Sequence, residues 1–219
     1  MSRQLFRKIK EYATHPMRVY SLISKAGFTR FVPDELHIRI MYRVLTGSKI
    51  NLDDPKTFNE KLNWLKLHDR NPLYNILVDK LAVKAWVSEK IGDEYVTETY
   101  ASWSRVEDIS IENLPDKFVL KTNHDSGGIS ICRDKSDFNL AAARKLLAKH
   151  LKHNYFWWTR EWPYKDVTPM VMAEEYLEDV DGDAGLVDYK VTCFGGKPEF
   201  IEVHRGRFSN HTCNYYDIE

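Results

Sequence analysis

Apolar residues recur at helical spacing in the first part of the chain and predict two amphipathic helices. The first group, near the amino terminus, consists of Leu5, Phe6, Ile9 and Tyr12. Basic residues lie between them, so this helix either lies on a membrane surface or packs on its own domain, and we favour packing. The second helix is predicted to begin at Pro33-Asp34 and to end at Gly47. Its candidate core residues are Leu36, Ile38, Ile40, Met41 and Val44.

The next two helices are predicted from their end signals. Thr57 and Glu60 have the spacing of a capping box, in which each side chain binds a free backbone N–H of the first turn. A helix is therefore predicted to begin after Thr57. A further helix is predicted over about residues 73–90, with Gly92 as its stop.

The pattern changes near residue 115, where short apolar runs alternate with turn signals. The predicted elements are strands over 118–121 and 129–132, a helix over 140–151, an aromatic loop over 155–158, a strand over 169–177, and a hairpin of strands 189–194 and 199–203. This order predicts an α+β fold in which a mainly helical region, residues 1–114, precedes largely antiparallel sheet lobes, residues 115–219.

Composition excludes several classes of protein. Lys and Arg number 32, as do Asp and Glu, so the chain lacks the excess positive charge of a general nucleic-acid binder. No apolar run approaches the roughly 18 residues that a transmembrane helix needs. Three widely separated cysteines suggest neither a disulfide framework nor a CxxC metal site, which favours reduced thiols in the cytoplasm.

The first candidate site follows the strand over 118–121. This strand brings Lys121 to its end, and the small polar loop after it contains Ser126, Gly127 and Gly128. Glycine lets backbone N–H groups approach an anion closely, and a lysine adds a point charge for a phosphate oxygen. The lysine precedes the glycines, so this is no Walker A motif. The alternative is a hairpin turn with a solvated lysine.

Two further segments extend this hypothesis to a nucleotide. The strand over 169–177 ends in residues that could hold an adenine base, namely Glu174, Glu175, Tyr176 and Leu177. Asp188 and Lys190 share one face of the next strand, where a carboxylate could bind a ribose hydroxyl and an ammonium a phosphate. The alternatives are an edge strand with solvated acids and a weak ion pair on the surface.

Histidines and tryptophans offer weaker signals. The spacings of His124, His150, His153, His204 and His211 match no zinc motif, so no metal ligand is predicted. Three tryptophans, Trp157, Trp158 and Trp162, either stack on sugar rings or pack against the core, and we favour packing.

Four segments in order, FVLKTNHDSGG, REWPY, AEEYL and DYKVTCFGGKP, resemble the TupA-like ATP-grasp family of bacterial cell-surface polysaccharide and teichuronopeptide synthesis. The upstream segment PKTFNEKLNWLKLHDRNPLY is similar to the same family. The resemblance implies an ATP-grasp fold that holds ATP between two α+β lobes. It also implies a ligase that uses ATP and Mg²⁺ to join a carboxylate, such as a uronic-acid-containing glycan, to an amino acid or another amine.

The resemblance also implies roles for individual residues. Lys121 would contact nucleotide phosphate, and residues 126–128 would close over the phosphates. Residues 174–177 would hold adenine, and Asp188 would lie near the ribose. Lys190 and Arg207 would act on the phosphates or the acyl phosphate as catalytic residues. The reaction would take place in the cytoplasm or at the inner face of the membrane.

One departure from the family pattern leaves alternatives open. The acidic segment that holds Mg²⁺ in ATP-grasp enzymes is expected after the last hairpin, and Asp217 and Glu219 do not resemble it. We therefore expect the metal-binding part to be missing, the chain to be inactive alone, or an oligomer or partner to cover the gap. The alternatives are a glycosyltransferase, for which Asp181-Gly182-Asp183 has the DxD form, and a non-catalytic nucleotide- or glycan-binding relative.

Overall fold

The computed structural model describes residues 17–178, 186–206 and 210–218. The helix predicted near residues 5–12, the Asp181-Gly182-Asp183 motif, Arg207 and Glu219 therefore lie outside the described residues. The helices are α1 (Met17–Lys25), α2 (Asp34–Thr46), α3 (Phe58–His68), α4 (Leu73–Val78), α5 (Ala82–Ile91), α6 (Leu140–Leu151) and α7 (Phe156–Thr159). The strands are β1 (Thr99–Trp103), β2 (Phe118–Thr122), β3 (Ile129–Cys132), β4 (Val171–Glu175), β5 (Asp188–Phe194), β6 (Lys197–Arg205) and β7 (Thr212–Asp217).

Helix α2 confirms the predicted helix and its end signal. Gly47 has φ 75° and caps the helix by donating its N–H to the carbonyl of Arg43, a conformation that glycine adopts without a Cβ clash. Ile38 and Met41 are buried as predicted. Leu36 is half exposed, so its prediction as a core residue is wrong; the buried face of α2 consists of His37, Ile38 and Met41.

The capping box at the start of α3 is confirmed. The Thr57 hydroxyl accepts from the Glu60 N–H at 3.3 Å, and the Glu60 carboxylate accepts from the Thr57 N–H at 2.9 Å. The same carboxylate also accepts from the N–H groups of Asn51 and Lys56, both at 3.1 Å. Glu60 therefore fixes the approach of the chain to α3 as well as its first turn.

The single helix predicted over 73–90 is wrong, because the chain breaks between α4 and α5 at residues 79–81. The Asp79 carboxylate accepts hydrogen bonds from the Leu81 N–H at 2.9 Å and from the Asn123 side chain at 3.0 Å. Lys80 donates its backbone N–H to the Asn123 carbonyl at 3.0 Å. Contacts with a distant loop therefore replace the helical hydrogen bonds at this point.

The main sheet has the strand order β1-β4-β2-β3, and the β1–β4 and β2–β3 pairs are antiparallel. Strand β1 is missing from the sequence prediction, which assigned its region to helices. Its partner β4 lies far downstream, so local spacing contains no information about this pairing.

A hydrophobic core covers the sheet beside α6. Its buried residues are Val106, Ile109, Leu114, Phe118, Leu120, Cys132, Ala143, Leu147, Val171 and Ala173. Strands β2 and β4 are buried along most of their length, which fixes the positions of the side chains at their ends.

The aromatic segment forms α7 rather than a loop. Phe156 is buried and packs edge-on against Trp157 at 4.9 Å between ring centroids. The Trp162 indole donates to the Asp69 carbonyl at 2.7 Å, and the buried Arg160 donates to the Thr29 carbonyl at 2.8 Å. These tryptophans pack within the fold, in agreement with the favoured alternative.

Contacts between Cα atoms divide the chain after Glu174 into two compact units. The described part of the second unit is an antiparallel sheet in the order β5-β6-β7, and its first two strands confirm the predicted hairpin about Gly195-Gly196. Strand β7 was not predicted. The functional division near residue 115 is a different kind of boundary and stays a prediction. Among the described residues, no helix is both long and apolar enough to cross a bilayer.

Candidate functional site

Two of the predicted site residues lie together at the end of the buried strands. Lys121 on β2 forms a direct ion pair with Glu174 on the neighbouring strand β4. The side chains are 24% and 10% exposed, so the pair is largely withdrawn from solvent yet keeps some access to it. Such a pair holds its charges in place because both strands are anchored in the core.

A second lysine, which sequence reasoning missed, completes this arrangement. Lys84 on α5 lies 2.9 Å from the other oxygen of Glu174, and its side chain is 16% exposed. It also donates to the Thr97 carbonyl at 2.8 Å and to the Thr99 hydroxyl at 2.9 Å. Its sequence context, an apolar helix, gives no sign that the side chain points at a carboxylate far downstream.

A third lysine lies between the sheet and the glycine loop. Lys80 donates from Nζ to the Asp125 carbonyl at 2.6 Å and to the Asn123 carbonyl at 3.3 Å. Burial lowers the pKa of Lys80; Asp125 opposes this effect, and the neighbouring charge of Lys121 adds to it. Lys80, Lys84 and Lys121, hereafter the lysine cluster, therefore lie near the ends of β2 and β4. Lys84 and Lys121 pair with Glu174, whereas Lys80 binds loop carbonyls, and such lysines suit a phosphate.

The loop between β2 and β3 is held by contacts among its own residues. Thr122 donates its N–H to the Gly128 carbonyl at 2.8 Å, and Gly127 has φ 104°. A Cβ at Gly128 would clash with the Thr122 hydroxyl and lie 2.9 Å from both the Asp125 carboxylate and the Cβ of His150. Gly128 is therefore required by packing within the chain. Contact of the exposed residues Ser126 and Gly127 with phosphate stays a prediction.

Asp125 is the polar centre of this loop. Its carboxylate forms short contacts with the Thr122 hydroxyl and with Nδ1 of His150. Burial opposes ionisation, but the hydrogen bonds from Thr122 and His150 outweigh it and hold the pKa of Asp125 below its usual value. Burial also lowers the pKa of His124, whose Nε2 lies 3.0 Å from the His153 carbonyl. The loop is thus a fixed support for the adjoining lysine cluster.

The remaining predicted residues lie in the second unit. Glu175 and Tyr176 are half-buried and Leu177 is 41% exposed. Asp188 and Lys190 share a face of β5, as predicted, with 3.9 Å between Oδ2 and Nζ. They lie opposite His204 and Glu202 of β6.

The groups of three potential metal ligands in the described residues do not resemble an Mg²⁺ shell. The two groups of potential ligands there are Asp125, His150 and His153, and Glu202, His204 and Cys213. Mg²⁺ prefers an octahedral shell of oxygen atoms, whereas each of these groups contains nitrogen or sulfur donors. We therefore assign neither of these two groups to Mg²⁺.

Comparison with known proteins identifies the family of the chain. The family model described as TupA-like ATPgrasp matches residues 60–219, which is well over half of the chain and includes the lysine cluster and the glycine loop. No curated protein and no solved structure matches the chain. The length of the family match shows that the chain belongs to the TupA-like ATP-grasp family.

Proposed function

We propose that the protein is an ATP-dependent carboxylate–amine ligase that acts in capsule or cell-surface polysaccharide biosynthesis. The observation that carries the proposal is the lysine cluster at the end of buried strands, beside a glycine loop, in a chain of the ATP-grasp family. A triphosphate is the substrate whose negative charges pair most directly with these lysines.

The Lys121–Glu174 pair supports a specific binding step. Glu174 was predicted to contact adenine, yet both of its oxygens face lysines. In our proposal Glu174 holds Lys121 extended until a phosphate oxygen replaces it as the partner of that ammonium group. The backbone of residues 174–177 then supplies the adenine contacts, and Asp188 binds the ribose.

The proposed chemistry is activation followed by transfer. The substrate carboxylate attacks the γ-phosphorus of ATP, which forms an acyl phosphate and releases ADP. An amine then attacks the acyl carbon, and phosphate leaves as the amide forms. Negative charge develops on phosphate oxygens in both steps, and we assign its stabilisation to Lys190 and Arg207. ATP-grasp proteins generally use Mg²⁺, and no step here is assigned to it.

The proposed partners follow from the same chemistry. We propose a uronic-acid-containing glycan as the acid and an amino acid or another small amine as the nucleophile. ATP supply places the reaction in the cytoplasm, where the protein works free or at the inner membrane face.

ATP binding by the full chain tests the proposal first. Titration calorimetry with Mg²⁺ present should detect binding, and Lys121→Ala should weaken it at least about tenfold because a desolvated charge-assisted contact is lost. Lys149→Ala, which removes an exposed lysine on α6, is the matched control and should bind like the parent. A folded parent that does not bind ATP would contradict the proposal.

A turnover assay separates this function from its alternatives. ADP release that requires both an acid and an amine supports the ligase. A glycosyltransferase would turn over a donor sugar without ATP, and a non-catalytic relative would bind nucleotide without releasing ADP under any combination of acids and amines.

A further inference from the structure

One face of the second-unit sheet brings together a carboxylate, an imidazole and a thiol. Glu202 and His204 are two residues apart on β6 and therefore share a face. In the β6–β7 register, Cys213 lies directly opposite His204. The three side chains are partly buried, with 25% of Glu202 and 13% of His204 exposed.

The distances among these groups match a metal site. His204 Nε2 lies 3.3 Å from Glu202 Oε2 and 3.7 Å from Cys213 Sγ, and all three donor atoms lie within 4.8 Å of one another. A tetrahedral zinc ion with ordinary bond lengths separates its N and O ligands by about 3.4 Å and its N and S ligands by about 3.6 Å. The donors therefore need little rearrangement to bind one ion.

A fourth residue is placed to orient the central ligand. His204 Nδ1 lies 3.0 Å from His211 Nε2, and the two rings are stacked with 9° between their planes. When His204 donates from Nδ1 to His211, its Nε2 carries the lone pair directed at Glu202 and Cys213. Metal-binding histidines commonly make such an outer hydrogen bond from the nitrogen that is not bound to the metal.

We propose that Glu202, His204 and Cys213 bind a zinc-like divalent cation, with His211 as a positioning residue for His204. Thiolate and imidazole donors select zinc or cobalt over Mg²⁺ and Ca²⁺, which take oxygen ligands. Three protein ligands leave one coordination position for water or a substrate group. The spacing of these residues in sequence matches no zinc motif, because the β6–β7 pairing, not local sequence, brings them together.

The site has a structural consequence within its own unit. Among the described residues of this unit, Val203 is the only buried hydrophobic side chain. A sheet with so small a core gains stability from any ligand that joins its strands, and a metal held by β6 and β7 does so. His204 and Glu202 lie opposite Asp188 and Lys190 of β5, to which we assign roles in ATP use, so the metal site and those residues share one part of the sheet.

Metal titration of the full chain tests the proposal without nucleotide or turnover. After chelator treatment under reducing conditions, Co²⁺ should give a thiolate-to-metal charge-transfer absorption, and competition with a chromophoric chelator should show one Zn²⁺ bound per chain. Cys213→Ser should remove the charge-transfer band and weaken Zn²⁺ binding at least about tenfold. The matched control is Cys193→Ser, which removes the exposed thiol of β5 and should behave like the parent.

His211→Ala distinguishes positioning from direct binding. Zn²⁺ affinity should fall by roughly 10- to 100-fold, while the visible d–d bands of the Co²⁺-saturated variant keep the position and intensity of the parent, because the metal-bound atoms are unchanged. Retained zinc affinity in Cys213→Ser, confirmed as folded by circular dichroism, would overturn the proposal. A parent that binds no zinc, or gives no charge-transfer band, would overturn it as well.

Discussion

At the scale of single residues, Glu174 is the side chain of the candidate site that forms two ion pairs. It is the carboxylate shared by Lys84 and Lys121, and its side chain is only 10% exposed. Glu174→Ala leaves the ammonium groups of Lys84 and Lys121 partly buried and without their shared carboxylate. We therefore expect the free energy of unfolding to fall by about 3 kcal/mol. Urea denaturation followed by circular dichroism measures this.

Lys56→Ala is the control for that prediction. It removes an ion pair with Asp54 whose side chains are 74% and 65% exposed, so the free energy of unfolding should change by less than about 1 kcal/mol. Equal effects of the two substitutions would show that Glu174 is as well solvated as a surface group.

The close packing around Gly128 leads to a prediction about substitution at this position. Its Cβ would lie 2.9 Å from Asp125 Oδ1, so Gly128→Ala should lower the free energy of unfolding by about 1–3 kcal/mol and weaken ATP binding by displacing the loop. Gly47→Ala is the comparison, because Gly47 has φ 75° and open space around it, which costs about 1 kcal/mol without moving the loop. Normal ATP binding by Gly128→Ala would contradict the proposed role of the loop.

Residue types alone indicated part of this site. Lys121 and Glu174 were found because each stands at the end of an apolar strand, which is a local pattern. Lys84 was missed because its role depends on a carboxylate contributed by β4, and no property of the helix sequence reveals that partner. The Glu202, His204 and Cys213 donors were missed for the same reason.

At the scale of elements, α3 should show an acid-dependent contribution to stability. Hydrogen bonds from the N–H groups of Thr57, Asn51 and Lys56 lower the pKa of Glu60 from 4.5 to about 2. A carboxyl with a lowered pKa in the folded state stabilises that state above its unfolded pKa and loses this effect as the pH falls. The contribution of Glu60 is therefore full above about pH 4.5 and lost on acidification through about pH 2.

Glu60→Gln tests this directly. The difference in unfolding free energy between parent and variant should be constant near neutral pH and shrink between pH 4.5 and 2. Thr57→Ser keeps the capping hydroxyl and should keep the pH dependence of the parent. A parent–variant difference that does not change with pH would contradict the assignment.

Prediction of elements succeeded where the signals were local. Capping residues located α3, Gly47 ended α2, and Gly195-Gly196 joined β5 to β6. The break at residues 79–81 depends on hydrogen bonds with Asn123, and β1 and β7 depend on partner strands. Such nonlocal contacts override helical periodicity, and the local sequence pattern gives no signal of them.

At the scale of the whole molecule, the α+β class was predictable from the order of helical and strand patterns, and the family was predictable from motifs that occur in a fixed order along the chain. The uneven distribution of buried hydrophobic residues between the two units was not predictable from the sequence. Strands β2 and β4 are buried along most of their length, whereas Val203 is the only buried hydrophobic residue in the described part of the second unit.

Hydrogen exchange should reveal this difference. Amides of β2 and β4 should exchange only on global unfolding, while those of β6 and β7 should exchange through smaller openings. Zn²⁺ should slow exchange in β6 and β7 and leave β2 unchanged, whereas Cys213→Ser should remove the effect. Equal protection of all these strands without metal would contradict the prediction.

The boundary after Glu174 has a consequence for how such proteins diversify. The lysine cluster and its shared carboxylate all precede that boundary, while the zinc donors all follow it. A recombination event there would keep the anion-binding lysines intact and exchange the metal-binding sheet as a separate unit. The same exchange would replace Asp188, Lys190 and Arg207, so the proposed ribose contact and catalytic cations would change together with the metal site while the lysine cluster stays.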